Sequence, residues 1–193
     1  TVAAVNNNGI GVCGVAGGDG TPGTGVRLMT CQLFSGNASC GTMSRAKAYK
    51  YAADMGASVL QCSFGQASGL VKSDEEFKRF YSFEEEMLNY FMEHPSANNP
   101  VDKNFAIFAS GNDGQPLSGY PAAHQKYISV SAFGPDYLPT SYTNYGPGTN
   151  IAAPGGDYSI NSTSATPQRA QILSTLPKEL GSGEYGYMQG TSM

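Results

Sequence analysis

A series of short apolar runs constrains this chain more than any other feature. They are "VRLMTCQLF" (Val26 to Phe34), "SVLQCS" (Ser58 to Ser63), "FAIFAS" (Phe105 to Ser110), "YISVSAF" (Tyr127 to Phe133) and a shorter "NIAAP" from Asn150. Each is too short for a helix, and several are apolar at successive positions. Strands of that kind bury both faces, which is the signature of a parallel sheet covered by helices. Helical patterns lie between the runs. Thr42 is placed to cap one carrying Met43, Ala46, Tyr49 and Ala53, with a stop near Gly56. Ser73 and Glu76 form a capping box ahead of a stripe of Phe77, Phe80, Tyr81, Met87, Leu88 and Phe91, ended by Pro95. The aromatic stripe reads as a core face. Strand, helix, strand, helix, strand predicts an α/β domain with a doubly wound, mostly parallel sheet.

After about Pro135, Gly, Pro, Tyr, Ser and Asn dominate and helical periodicity disappears. "QILSTLP" and "YGYMQG" flank a turn around Gly181 to Gly183, which predicts a β-hairpin. With 193 residues, no repeat and no linker, the chain reads as one domain. Charged residues make up only 13% and the net charge is −4, without a Lys/Arg cluster, so nucleic acid has no electrostatic footprint to bind. No apolar run approaches membrane-spanning length.

Cys31 and Cys62 lie in apolar runs and read as buried free thiols. No CxxC pair points to zinc, and a disulfide involving Cys13 or Cys40 stays open, its connectivity unreadable. "GIGVCG" (Gly9 to Gly14) matches GxGxxG, but "VNNN" precedes it and "AGGDGTPGTG" follows, and no acidic residue lies near Phe34. A dinucleotide site needs a strand before the glycines, a helix after them and a carboxylate about 20 residues on. A turn-rich connector is the better account.

Two segments carry chemistry. "FASGNDG" sets Asn112 just past a buried run, between Gly111 and Gly114. In open α/β sheets ligands gather outside the carboxyl ends of the strands, where an amide N–H can face a developing negative charge. "GTSM" sets Ser192 among small residues, as a serine whose backbone N–H could open a helix and face an oxyanion. Either segment alone is as well explained by an ordinary turn or tail.

Together, and in order, the segments resemble the subtilisin-like serine proteases, nearly end to end. "TVAAVNNNGIGVCGVAGG", "LQCSFG", "FAIFASGNDG", "GYPAAHQKYISVSAF", "SYTNYGPGTNIAAPG", "ILSTLP" and "GTSM" carry the likeness. The resemblance implies Ser192 as acylating nucleophile and Asn112 as oxyanion-hole side chain. It implies one substrate wall from Ser63, Phe64 and Gly65, and the other from Ala109, Ser110 and Gly111. Asp113 beside that wall would favour a basic residue at the cleaved bond. A polypeptide substrate would add as a β-strand. A cis peptide is implied at Tyr120–Pro121. A structural calcium is implied at "NNNGIG", through Asn7 and Asn8, with further ligands from upstream; no cofactor is needed for the chemistry. In the family the triad's Asp and His precede the part matching Thr1, and His94 and His124 fall outside the motif and read as surface residues. Thr1 is followed by no signal-peptide pattern. The chain is therefore expected to be an internal piece of a secreted or cell-envelope protease, inactive alone, with the rest of the domain supplying Asp and His. A non-cutting, peptide-binding relative is the alternative, and a nucleotide-binding domain a weaker one.

Overall fold

A computed structural model describes residues 1–36, 38–99, 102–160, 170–180 and 183–193. Its centre is a four-stranded parallel sheet of β3 (Val59–Cys62), β4 (Phe105–Ala109), β5 (Ile128–Phe133) and β6 (Ile151–Pro154), side by side in chain order. Register runs Cys62 beside Phe108, Ala109 beside Val130, and Phe133 beside Pro154. All four strands therefore end at one edge. Alternating burial of Ala106 and Phe108 on β4 shows why "FAIFA" is a strand: its inward positions are nearly inaccessible. A two-stranded ribbon, β1 (Phe34–Ser35) with β2 (Ala38–Ser39), precedes the first helix. The expected hairpin is β7 (Ile172–Thr175) with β8 (Tyr185–Met188), antiparallel; Gly181 and Ser182 at its turn lie outside the described residues.

Helix α1 (Thr42–Asp54) has Gly41 rather than Thr42 as its N-cap, with no side-chain capping bond. Thr42 sits one residue too far in, at the first helical position, where its hydroxyl accepts from Arg45 Nη2 at 3.2 Å. Gly56, at φ +80°, follows its end. Half of the capping box forms as expected, the Ser73 hydroxyl accepting from Glu76 N at 3.2 Å, while the Glu76 carboxylate accepts from Lys72 N at 2.9 Å rather than from Ser73 N. The long helix after it is two: α2 (Asp74–Phe80) and α3 (Ser82–Glu93). Tyr81 leaves helical geometry between them, at φ −130° and ψ 33°, with its ring stacked on Phe77. Phe80 is exposed as a result, while Phe77, Leu88 and Phe91 are buried.

Helices α1 and α3 pack together around a buried charge. Glu84 accepts from Arg45 Nε at 2.9 Å, Arg45 Nη2 at 2.8 Å and the Tyr49 hydroxyl at 3.0 Å. Such a carboxylate is tolerable in a core only because its oxygens are matched in this way.

Three further expectations differ from the structure. The run from Val26 to Leu33 is not a strand; Val26 N–H bonds Ala16 O instead of a sheet neighbour, and Leu28 is exposed. Strand propensity makes no strand without a ladder partner. His124 is buried, not a surface residue: 4% exposed, stacked on Tyr127, with Nε2 3.5 Å from Glu85 Oε1 and Nδ1 accepting from Lys126 N. Its polar partners let it enter the core. Cys31 is only half-buried, since its run left the sheet; all four cysteines are free thiols and Cys62 is buried. His94 is exposed, and the Tyr120–Pro121 bond is cis. Residues 9–11 form bends, and residues 12–14 run on without a regular element into a turn at 15–16, with no helix after them. Among the described residues no helix is long and apolar enough to cross a membrane.

Candidate active site

The carboxyl edge of the sheet gathers the candidate residues. The chain leaving β3 gives Ser63, Phe64 and Gly65; the chain leaving β4 gives Ser110 to Asp113. Phe64 is held by edge contacts with Phe34 and Phe108. The two walls meet at their base, where Gln66 N–H donates to Tyr120 O at 2.6 Å and Ser68 hydroxyl to Leu117 O at 2.9 Å. Gly119 permits this approach, since a Cβ there would collide with the Gln66 carbonyl.

The hairpin β7–β8 delivers the third component. Beyond β8, Gly190 N–H donates to Gly155 O at 3.0 Å, docking the turn against the end of β6. Residues 190–193 close as a turn, with Met193 N–H on Gly190 O at 3.1 Å. Thr191 then joins this turn to Asn112. Its backbone N–H and its hydroxyl both donate to Asn112 Oδ1, at 2.9 and 3.0 Å. Thr191 Oγ1 in turn accepts from Gly111 N at 3.3 Å. With Oδ1 doubly engaged, the amide orientation of Asn112 is fixed and Nδ2 is the donor left to point outward. That nitrogen lies 3.5 Å from where a Cβ on Gly190 would sit. Ser192, half-buried, is the next residue, and its carbonyl accepts from the Ser63 hydroxyl at 3.3 Å. Ser63, Asn112 and Ser192 thus share one rim.

The remaining residues are placed as follows. Ala109 ends β4, and Ser110 is fully buried, donating to Asn144 O at 3.2 Å. Gly111 has φ +109°. Asp113 bridges the walls, its Oδ2 accepting from Ser68 N at 3.1 Å and Asn144 Nδ2 at 3.3 Å. Asn7 and Asn8 are far along the chain in their own loop. Asn7 Nδ2 donates to Asp19 O at 3.2 Å, and Asn8 Oδ1 accepts from Ile10 N at 3.0 Å. Calcium takes 6–8 oxygens, and among the described residues no group of three or more His, Cys, Asp or Glu is placed to hold a metal. The donor set fits the ion only in part.

Sequence reasoning missed Thr191, Tyr142, Asn144 and Asp157 as parts of the site's frame. Asp157 is buried, accepting from Ser141 N, Ser159 N and the Ser159 hydroxyl. Burial disfavours its charge, but those bonds outweigh the burial and hold its carboxyl below the usual value of 3.8.

A four-stranded parallel sheet with flanking helices, and loops gathered at its carboxyl edge, define an α/β domain. The chain belongs to the subtilase family (peptidase S8), whose family model matches residues 1–193. It is 29% identical over 192 residues to halolysin of Haloferax mediterranei, covering 96% of this chain and 30% of that protein. It is 28% identical over 197 residues to the thermophilic serine proteinase of Bacillus sp. strain AK1, covering 98% of this chain and 40% of that protein. Among solved structures, a protease of Pseudoalteromonas arctica PAMC 21717 superposes with a TM-score of 0.66 at 26% identity, over 100% of this chain and 52% of that one. The chain thus spans about half or less of the length of these relatives.

Proposed function

We propose that this chain carries the nucleophile half of a serine endopeptidase. Ser192 Oγ attacks the carbonyl carbon of a bound peptide bond, and the oxygen that becomes negative is received by Asn112 Nδ2 and the Ser192 backbone N–H. The serine proton passes to a histidine, oriented by an aspartate, and then to the departing amine; water hydrolyses the acyl-enzyme. Both of those residues come from sequence outside these 193. His94 and His124 are engaged with the helices and the 124–127 segment rather than the rim, which supports that assignment. By itself the chain is inactive.

The pair of hydrogen bonds that Thr191 donates to Asn112 Oδ1, from its backbone N–H and its hydroxyl, carries this reading. It fixes an amide donor beside the serine that follows. The peptide lies extended between Ser63, Phe64 and Gly65 on one side and Ala109, Ser110 and Gly111 on the other, with Asp113 favouring a basic residue before the cut. On family resemblance the protein acts outside the cytoplasm, secreted or in the cell envelope, and calcium at Asn7 and Asn8 stabilises it.

The test is peptide hydrolysis by the protein expressed with its flanking sequence. Ser192→Ala abolishes turnover while the variant still folds; turnover that survives at the wild-type rate rejects the reading. Equal cleavage after Lys and Leu rejects the role of Asp113 alone.

A further inference from the structure

The loop between β5 and β6 passes beneath both halves of the rim. Thr143 anchors it, accepting from Ala132 N at 2.8 Å, and Thr140 N–H donates to Ala132 O at 3.2 Å. From that anchor two side chains diverge. Asn144, fully buried, grips the Asn112 loop with every polar atom. Its Oδ1 accepts from Asp113 N at 3.0 Å and Gln115 N at 3.1 Å, and its Nδ2 donates to Ser110 O at 3.0 Å. Its own N–H donates to Gly111 O at 3.0 Å. The residues on both sides of Asn112 are therefore bonded to Asn144. Tyr142, two residues earlier, grips the other loop. Its hydroxyl accepts from Gly190 N at 3.0 Å and directs its proton to the carbonyls of Gly155 and Gly156, at 2.9 and 2.5 Å. Between them, Gly114 N–H donates to Tyr142 O at 2.9 Å.

We propose that Tyr142 and Asn144 are positioning residues, two ends of one strap that sets the distance between Ser192 and Asn112. The proposal rests on reading those two as nucleophile and oxyanion donor. The two loops come from distant parts of the chain, and apart from Thr191 the strap is what fixes one against the other. An oxyanion donor acts only if it meets the tetrahedral oxygen without moving, so a strap loosened at Tyr142, which bonds neither wall, lowers the chemical step and leaves peptide binding unchanged. Burial raises the Tyr142 phenol above its ordinary value, so the hydroxyl keeps its proton at neutral pH.

The experiment is a double-mutant cycle in the protein expressed with its flanking sequence, reading kcat and KM on a peptide substrate. Tyr142→Phe lowers kcat about 10- to 100-fold with KM changed less than about two-fold; Asn144→Ala lowers kcat by a similar factor and also raises KM, because Asn144 bonds Ser110 and Gly111 of one wall. In an Asn112→Ala background, where the donor is already gone, Asn144→Ala costs less than about two-fold more. A loss of the same size in both backgrounds overturns the strap but leaves the oxyanion role standing. Asn112→Ala with unchanged kcat overturns both. Tyr142→Phe removes one hydroxyl and keeps the ring, so it remains informative where Asn144→Ala does not fold. A lowered melting temperature at unchanged kcat there marks a purely structural residue and also overturns the strap.

Discussion

Individual side chains at the rim and in the core bear charge or donate hydrogen bonds, and their removal has calculable consequences. Asn112→Ala deletes the proposed oxyanion donor, whose bond would strengthen as charge builds on the substrate oxygen. A loss of about 100- to 1,000-fold in kcat is expected, the effect of such a deletion in a relative from the same family, with KM little changed. Asp157 gives a pH dependence. Its folded-state carboxyl is held below 3.8 by the Ser159 and Ser141 donors. Its stabilising contribution is present above that value and is lost as pH falls through the lower folded value. Asp157→Asn is therefore less stable than the wild type at pH 7, and the gap closes below about pH 4. Melting temperatures across pH 2–7 check this; a constant gap contradicts it. Glu84 tests a buried charge: Glu84→Ala strands Arg45 and costs about 3–5 kcal/mol in chemical denaturation.

Elements place these side chains. Parallel strands ending in register bring loops from Ser63 and Ser110 to one edge, and the β7–β8 hairpin carries Gly190 to the same edge. Gly190 has φ +146°, where an L side chain is strained. Gly190→Ala is expected to displace Ser192 and cut kcat at least about 10-fold, with the melting temperature as control. The elements were also what the sequence disclosed best. Runs such as "FAIFAS" and "YISVSAF" announce strands by their length and apolar content, although β4 is fully buried on one side only, with Ala106 and Phe108 inaccessible and Phe105 exposed. "VRLMTCQLF" carries the same signal and fails, because pairing depends on a neighbour that the run itself does not encode. The single aromatic stripe from Phe77 to Phe91 hid a break at Tyr81, since two helices on one core face share a periodicity.

At the scale of the molecule, the rim was legible only through the order of its segments. "FASGNDG" and "GTSM" hold the proposed oxyanion donor and nucleophile, but nothing local in "SYTN" tells that Tyr142 and Asn144 join them. Those bonds span long stretches of sequence and leave no pattern of spacing. His124 was misread for the same reason: its burial is set by Glu85 and Tyr127, which arrive from elsewhere in the fold. Calcium is a molecular-scale question too. Melting of the protein with its flanking sequence, in millimolar calcium against chelator, is expected to show a higher midpoint with the ion and no difference after Asn7→Ala with Asn8→Ala.

The central claim is that Ser192 is the nucleophile this edge was built to present. Treat the protein, expressed with its flanking sequence, with a fluorophosphonate and map the adduct by peptide mass spectrometry. The account predicts one modified residue, Ser192, and no labelling after Ser192→Ala. An adduct on another serine, or labelling that persists in the variant, contradicts it.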